Sequence, residues 1–229
     1  DWNWTEQQKS WPYAIACLVF SIMMVPAGRL QDKFSPRWVA TFGGLLVGLG
    51  MILASRGNSY WNYMLGFGVL AGTGIGFGYA SATPPAVKWF PARRTGMIAG
   101  IVVSGFGLAS VYAAPLTNWL VKQEGGVPGA MFTLGIAFLI VVMLLAQLLR
   151  TPPKGYVPAG TIPASPGAIA KKEDFSPSEM LGTPQFYLLW FMYACASGAG
   201  LMIIAKLATI ADKQAGLALG FLLVASLAV

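Results

Sequence analysis

Histidine is missing from all 229 residues of this chain, and only two cysteines occur, Cys17 and Cys195. Without histidine there is no imidazole to ligate a metal or to act as a general base. Both cysteines fall inside apolar runs, where they read as small buried hydrophobes and not as a disulfide or metal ligands. Charge is scarce too: 10% of the residues are Asp, Glu, Lys or Arg, against about 25% in soluble globular domains. No cofactor or metal site is expected. The formal net charge of +7 does not mark a nucleic-acid binder, because the bases lie in short loops between apolar segments. What the chain has in abundance is hydrophobic residues, at 56%, with 28 Gly and 8 Trp. Glycine is commoner in helices packed in a bilayer, and Trp marks the interfaces. The chain reads as an all-α membrane protein, with the lipid bilayer as its first partner.

The apolar runs are long enough to cross a membrane and carry almost no charge. They predict spans at about residues 13–27, 38–55, 61–84, 96–117, 129–149 and 186–210, with a seventh starting near residue 215. Those last 15 residues would reach about 22 Å at roughly 1.5 Å each, short of a hydrocarbon core of about 30 Å. The chain also begins with Asp1 in place of Met, in a stretch that reads as a loop with an interfacial Trp pair. It is expected to be part of a longer protein, with six complete transmembrane helices and part of a seventh. Prolines at 84, 85 and 115 are expected to kink their helices.

Lys and Arg sort by loop. One alternating set holds Arg29, Lys33, Arg37, Lys88, Arg93, Arg94, Arg150, Lys154, Lys171 and Lys172; the other holds Lys9, Arg56, Lys122 and Lys213. The richer set should be cytoplasmic, and Lys206 can snorkel to the outer headgroups. Residues 151–178 are rich in Pro, Gly, Ala and Lys and lack helical periodicity. They predict a flexible cytoplasmic linker, ending in a short surface helix near 176–181. The expected organisation is a first bundle over 1–150, the linker over 151–178, and the start of a second bundle over 179–229.

Two motifs stand out. The first is Gly28-Arg29-Leu30-Gln31-Asp32-Lys33-Phe34-Ser35-Pro36-Arg37, four charges in ten residues between two apolar runs. It reads as a tight loop at the membrane surface, with Gly28 letting helices approach and Asp32 offering a carboxylate for contacts that break during a conformational change. The second is Lys88-Trp89-Phe90-Pro91 followed by Arg94, Gly96, Ala99-Gly100 and Ser104-Gly105-Phe106-Gly107. A third glycine cluster, at positions 66, 68, 72, 74, 76 and 78, includes a GxGxxA spelling. That spelling needs a strand before it and an acidic residue about 20 positions on to mean dinucleotide binding. Here it lies inside an apolar span, so close helix packing through small residues is the better account.

The decapeptide resembles the loop between the second and third helices of major facilitator superfamily transporters, through Gly28, Leu30, Asp32, Lys33 and Arg37. Ser35 stands where glycine is usual, and Pro36 where a base is usual. The Trp-Phe-Pro motif and the stretch from Glu179 to Trp190 resemble corresponding regions of the oxalate:formate antiporters and their monocarboxylate transporter relatives. The resemblance implies a major facilitator superfamily-like helix bundle, beginning here with the second helix and lacking most of the C-terminal half.

It implies a secondary carrier of small carboxylates such as oxalate, formate or lactate, working by alternating access in the plasma (bacterial inner) membrane, with a monomer favoured. The polar and aromatic residues far from span ends become substrate-pathway candidates: Tyr79, Ser104, Phe106 and Tyr112. Relatives often carry Tyr at the Phe106 position, so one hydroxyl donor is lost there. Gly28, Asp32, Lys33, Arg37 and Arg94 become candidates for gating. No charge lies near the middle of any predicted span; the resemblance implies that the cations that would meet an anion lie beyond Val229, and the same absence fits a carrier of a neutral solute. A carrier of another solute, such as a drug/proton antiporter, fits the same sequence. An intramembrane enzyme would lack paired carboxylates and histidine.

Overall fold

The computed structural model describes residues 4–56, 59–153, 155–158 and 177–215. The expected seventh span and most of the expected linker lie outside them. Contacts divide the chain into two units, Asp1–Thr161 and Ile162–Val229. Every element among the described residues is helical.

In the first unit α1 is Glu6–Lys33. A capping box starts it: the Gln8 backbone N–H donates to Thr5 Oγ1 at 3.3 Å, and the Thr5 backbone N–H donates to Gln8 Oε1 at 3.0 Å. The helix runs through the first six residues of the charged decapeptide. Lys33 in its last turn suits the negative end of the helix dipole. Helix α2, Pro36–Ser55, begins two residues later. Proline is well placed at a first helical position and disfavours helix in the residue before it. The connection is therefore only Phe34 and Ser35, and the expected ten-residue loop is mostly two helix ends.

Helix α3, Tyr60–Lys88, is longer than its predicted span and continues through Pro84 and Pro85. Residues Met64–Ala71 within it form a π-helix. Trp89, Phe90 and Pro91 turn the chain, a 3₁₀ turn follows at Ala92–Arg94, and α4 runs over Thr95–Gln123. Gly125 and Gly126, with φ of 74° and 106°, make the turn into α5, Val127–Ala146. Positive φ is where glycine is needed. Five helical segments of this unit are long and apolar enough to cross a membrane.

Small residues make the interior. A Cβ at Gly43 would lie 2.8 Å from the Gly74 carbonyl oxygen, and one at Gly74 would overlap the Gly43 carbonyl. Gly50 and Gly66 repeat the contact, each added Cβ falling 2.5 Å from the other's carbonyl oxygen. Helices α2 and α3 thus meet backbone to backbone and antiparallel. On another side of α3, a Cβ at Gly72 would be 2.8 Å from Ala16 O, and one at Gly76 would be 2.9 Å from Phe20 O. That seam is parallel to α1. Gly44 and Gly48 seat α2 against Val142, Leu139 and Gly135 of α5.

The expected glycine packing holds at 66, 68, 72, 74 and 76, whereas a Cβ at Gly78 would meet nothing within 4 Å. A Cβ at Gly28 would likewise meet nothing within 4 Å. The approach there is made by its neighbour Ala27, fully buried in a core with Val39, Phe77 and Ala80. Large apolar side chains such as Leu18, Ile22, Trp38, Phe42 and Leu144 point outward. This division, with mainly small residues at the helix contacts and most large ones outside, is that of helices associating in lipid. Helix α4 packs only lightly on α3 and α5, and none of its most apolar stretch is buried. The thiols are free, Cys17 half-buried and Cys195 exposed, so neither lies in the closed interior expected from sequence.

The second unit begins with α6, Pro177–Leu181, at the position expected for a short helix. Thr183 donates its hydroxyl to Met180 O at 2.7 Å, and α7 spans Pro184–Ala215. Its 32 residues extend about 48 Å at roughly 1.5 Å each, enough to cross a bilayer. The Lys206 side chain lies outside the described ones.

The glycine seams predict a graded response. Gly74→Ala, with backbone on both sides of the new methyl, is expected to destabilise the protein by about 2 kcal/mol through overpacking. Gly78→Ala should stay within about 1 kcal/mol of the parent. Thermal melting in detergent, followed by intrinsic Trp fluorescence, separates the two. Equal melting points would contradict the seam.

Candidate functional site

Two groups of residues carry chemistry in the first unit. One lies along the helices and is aromatic. Tyr79 of α3 stands edge-on to Phe106 of α4, with ring centroids 6.4 Å apart and planes at 89°. Among the described residues its ring also meets Phe20 of α1, at 5.7 Å and 84°. Edge-to-face pairing favours these geometries and restricts ring rotation. Tyr79 is half-buried; Phe106 is 65% exposed.

The other two pathway candidates do not join this group. Ser104 donates its hydroxyl to Ile101 O on its own helix at 2.8 Å, the back-bonding that apolar helices use to satisfy a hydroxyl. Tyr112 is 63% exposed, about two turns further along α4. Phe20 escaped the sequence reading. Its only signal was an aromatic residue four positions after Ala16, the spacing of Gly72 and Gly76, and that signal means nothing until α1 and α3 are known to be neighbours in register.

The second group gathers at one end of the bundle. Because α2 is antiparallel to α3 and α5, the end of α1, the start of α2, the end of α3, the start of α4 and the end of α5 lie together. They bring Arg29, Lys33, Arg37, Lys88, Arg93, Arg94 and Arg150 to one side. Arg37 donates from Nε to Leu149 O at 2.8 Å, in a partly buried bond. Trp89 donates from Nε1 to Arg150 O at 2.9 Å, and its ring meets Tyr156 at 5.2 Å. Gln147 donates from Nε2 to Thr41 Oγ1 at 3.1 Å.

A helix C-terminus leaves carbonyls without intrahelical partners. Here, just past α5, two consecutive carbonyls are met by one residue from each motif. Asp32, Lys33 and Arg94 are exposed. Within the decapeptide Gln31 is the buried polar residue, 5% exposed, and its Oε1 has no hydrogen-bond partner among the described residues. Nothing in its spelling distinguished it from the charged residues beside it.

At the opposite end, Trp4 packs edge-on against Tyr60 and Tyr63, each at 5.4 Å. Tyr63 stacks on Phe67 at 5.7 Å. Amphipathic rings at a helix end suit the headgroup level of a membrane. Charged residues thus crowd one end of the bundle, aromatic residues mark the other, and apolar helices run between them.

The comparisons with known proteins agree with this architecture. Residues 1–229 match the family described as Major Facilitator Superfamily. The oxalate:formate antiporter of Oxalobacter formigenes is 32% identical over 195 residues, covering 85% of this chain and 44% of that protein. The uncharacterized MFS-type transporter YhjX of Escherichia coli (strain K12) is 29% identical over 210 residues, 92% of this chain and 50% of that protein. Monocarboxylate transporter 13 of Bos taurus is 33% identical over 114 residues, 50% of this chain and 26% of that protein. The chain spans half or less of the length of these relatives. With a family match running from the first residue to the last, on a bundle of membrane-crossing helices, the chain belongs to the Major Facilitator Superfamily.

Proposed function

We propose that this chain is part of a secondary carrier of small organic anions, mono- or dicarboxylates, that works as a monomer by alternating access in the plasma (bacterial inner) membrane. The observation that carries the reading is the contact between Tyr79 and Phe106. Helices α3 and α4 pack lightly on each other, and a tyrosine stands where they meet, edge-on to a phenylalanine. A phenol among rings can orient a carboxylate, while the rings receive the apolar part of a small acid. The names of the relatives, an oxalate:formate antiporter and a monocarboxylate transporter, support the same substrate class. An anion crossing a membrane protein also needs a cationic partner, which the reading expects in the full-length carrier.

The charged end is the proposed cytoplasmic face and gate. Its residues divide into two roles. Arg37 and Trp89 hold the end of α5, so they keep the first bundle rigid while it rocks. Asp32, Lys33 and Arg94 are exposed and available for contacts that form in one state and break in the other. Residues 151–178 act as the linker between the bundles.

Reconstituting the full-length protein in liposomes and measuring labelled oxalate, formate and lactate tests the reading. Saturable uptake, accelerated by unlabelled carboxylate on the other side, is expected. Uptake of none of the three would refute it, and proton-coupled efflux of a drug would favour the other carrier class.

Asp32→Asn is expected to slow exchange on the order of tenfold, the rate equivalent of about 1.4 kcal/mol, with KM unchanged. A normal rate would make Asp32 only a topology signal. Trp89→Phe keeps an aromatic ring, though a smaller one, and removes the donor, so it should lower stability by about 1 kcal/mol while Tyr156 keeps a ring partner. Thermal melting and protease cleavage after Arg150 report these two effects separately.

A further inference from the structure

We propose that Phe20 is the positioning residue of the substrate site: it fixes the ring of Tyr79 from the α1 side. The inference deepens the reading of Tyr79 as a substrate contact and rests on it. Gly72 and Gly76 are one turn apart on α3, and each admits the α1 backbone. A Cβ would lie 2.8 Å from Ala16 O at the first and 2.9 Å from Phe20 O at the second, with Met23 Cβ at 3.3 Å. Any larger residue at 76 would push the Phe20 backbone away.

From that close seat the Phe20 ring reaches the next turn of α3 and meets Tyr79 at 5.7 Å, nearly perpendicular at 84°. Phe106 of α4 meets the same ring at 6.4 Å and 89°. The two neighbours are not equivalent. Phe20 is half-buried on a helix sealed to α3 by backbone contact. Phe106 is 65% exposed on a helix none of whose most apolar stretch is buried. The partner held by backbone contact sets the tyrosine's orientation, and Phe106 forms the wall facing it. Phe20 therefore acts through Tyr79 without needing to touch substrate.

The test uses the full-length protein in liposomes with 3-fluorotyrosine at position 79, together with Phe20→Leu and Phe20→Tyr. Phe20→Leu should shift the ¹⁹F resonance and narrow it toward that of a freely turning ring, while Phe20→Tyr keeps the parent line. A resonance unmoved by Phe20→Leu overturns the proposal. In transport, Phe20→Leu should raise KM about three- to tenfold, the fold equivalent of one edge-to-face pair, with the maximal rate within about twofold of the parent.

In a Tyr79→Phe background the same substitution should add no further rise in KM, since residues acting as a unit are not additive. A full additional rise there overturns the proposal as well. If the parent carries no carboxylate at all, the proposed function fails, while the ¹⁹F comparison still decides the role of Phe20. Should Phe20→Leu not accumulate folded, Phe20→Met takes its place in every arm.

Discussion

Backbone-to-backbone contact along α3 is the constraint on which the rest of the first unit depends. Gly66 and Gly74 admit α2, and Gly72 and Gly76 admit α1. In lipid, hydrophobic burial does not drive helices together, because the tails are as apolar as the side chains. Close packing must do it, and it works best where no side chain intervenes. Four glycines on two sides of one helix therefore fix two neighbours at once, in opposite directions. The π-helical segment Met64–Ala71 contains Gly66 and Gly68, so its departure from α-helical geometry occurs within this seam. π-Helical turns recur at functional sites, and the segment lies on the same helix as Tyr79.

Once α1, α2 and α3 are locked, the positions of the charged residues follow. The two-residue link between α1 and α2 holds Arg37 at the start of α2, directly beside the antiparallel α5. Its guanidinium then meets the carbonyl of Leu149. Trp89, at the end of α3, reaches the next carbonyl along. Two motifs about 50 residues apart in the sequence converge on adjacent peptide groups because the glycine seams bring their helix ends together. A bond from a charged donor is worth about 1.5–3 kcal/mol against about 1 for a neutral one. By that measure Arg37 is the stronger of the two anchors, and Trp89 adds the ring contact that seats Tyr156.

Much of this was legible before the fold was known. Span positions follow from apolar runs, and the glycines of α3 read correctly as packing residues because no strand or acidic partner accompanies them. Whereas α5 stops at Ala146, short of the expected 149, most helices run past their expected spans, since charged residues such as Arg29 and Lys33 can stay helical at a membrane surface. The decapeptide was taken for a loop on that account. Gly28 and Gly78 show the limit of reading glycine from spelling alone: whether a missing side chain matters depends on what lies opposite. Phe20 and Gln31 show the same limit for other residues. One became relevant only through the α1–α3 register, the other only through burial among its charged neighbours.

Two kinds of packing meet at Tyr79. Helices α1, α2 and α3 are sealed by backbone contact, whereas α4 packs lightly on α3, and its large apolar residues Ile101, Phe106, Leu108 and Tyr112 are exposed. A carrier has to recognise its solute with a fixed geometry and then release it by moving something. Fixed geometry requires groups whose rotamers are locked by packing, and motion requires an interface with little packing to lose. The glycine seam supplies the first requirement. The sparse α3–α4 contact, crossed here by an edge-to-face ring pair, supplies the second, because such a pair costs only about 0.5–1.5 kcal/mol to break. Tyr79 stands on the boundary between the two, where the proposed function needs a group that both holds and releases a small acid.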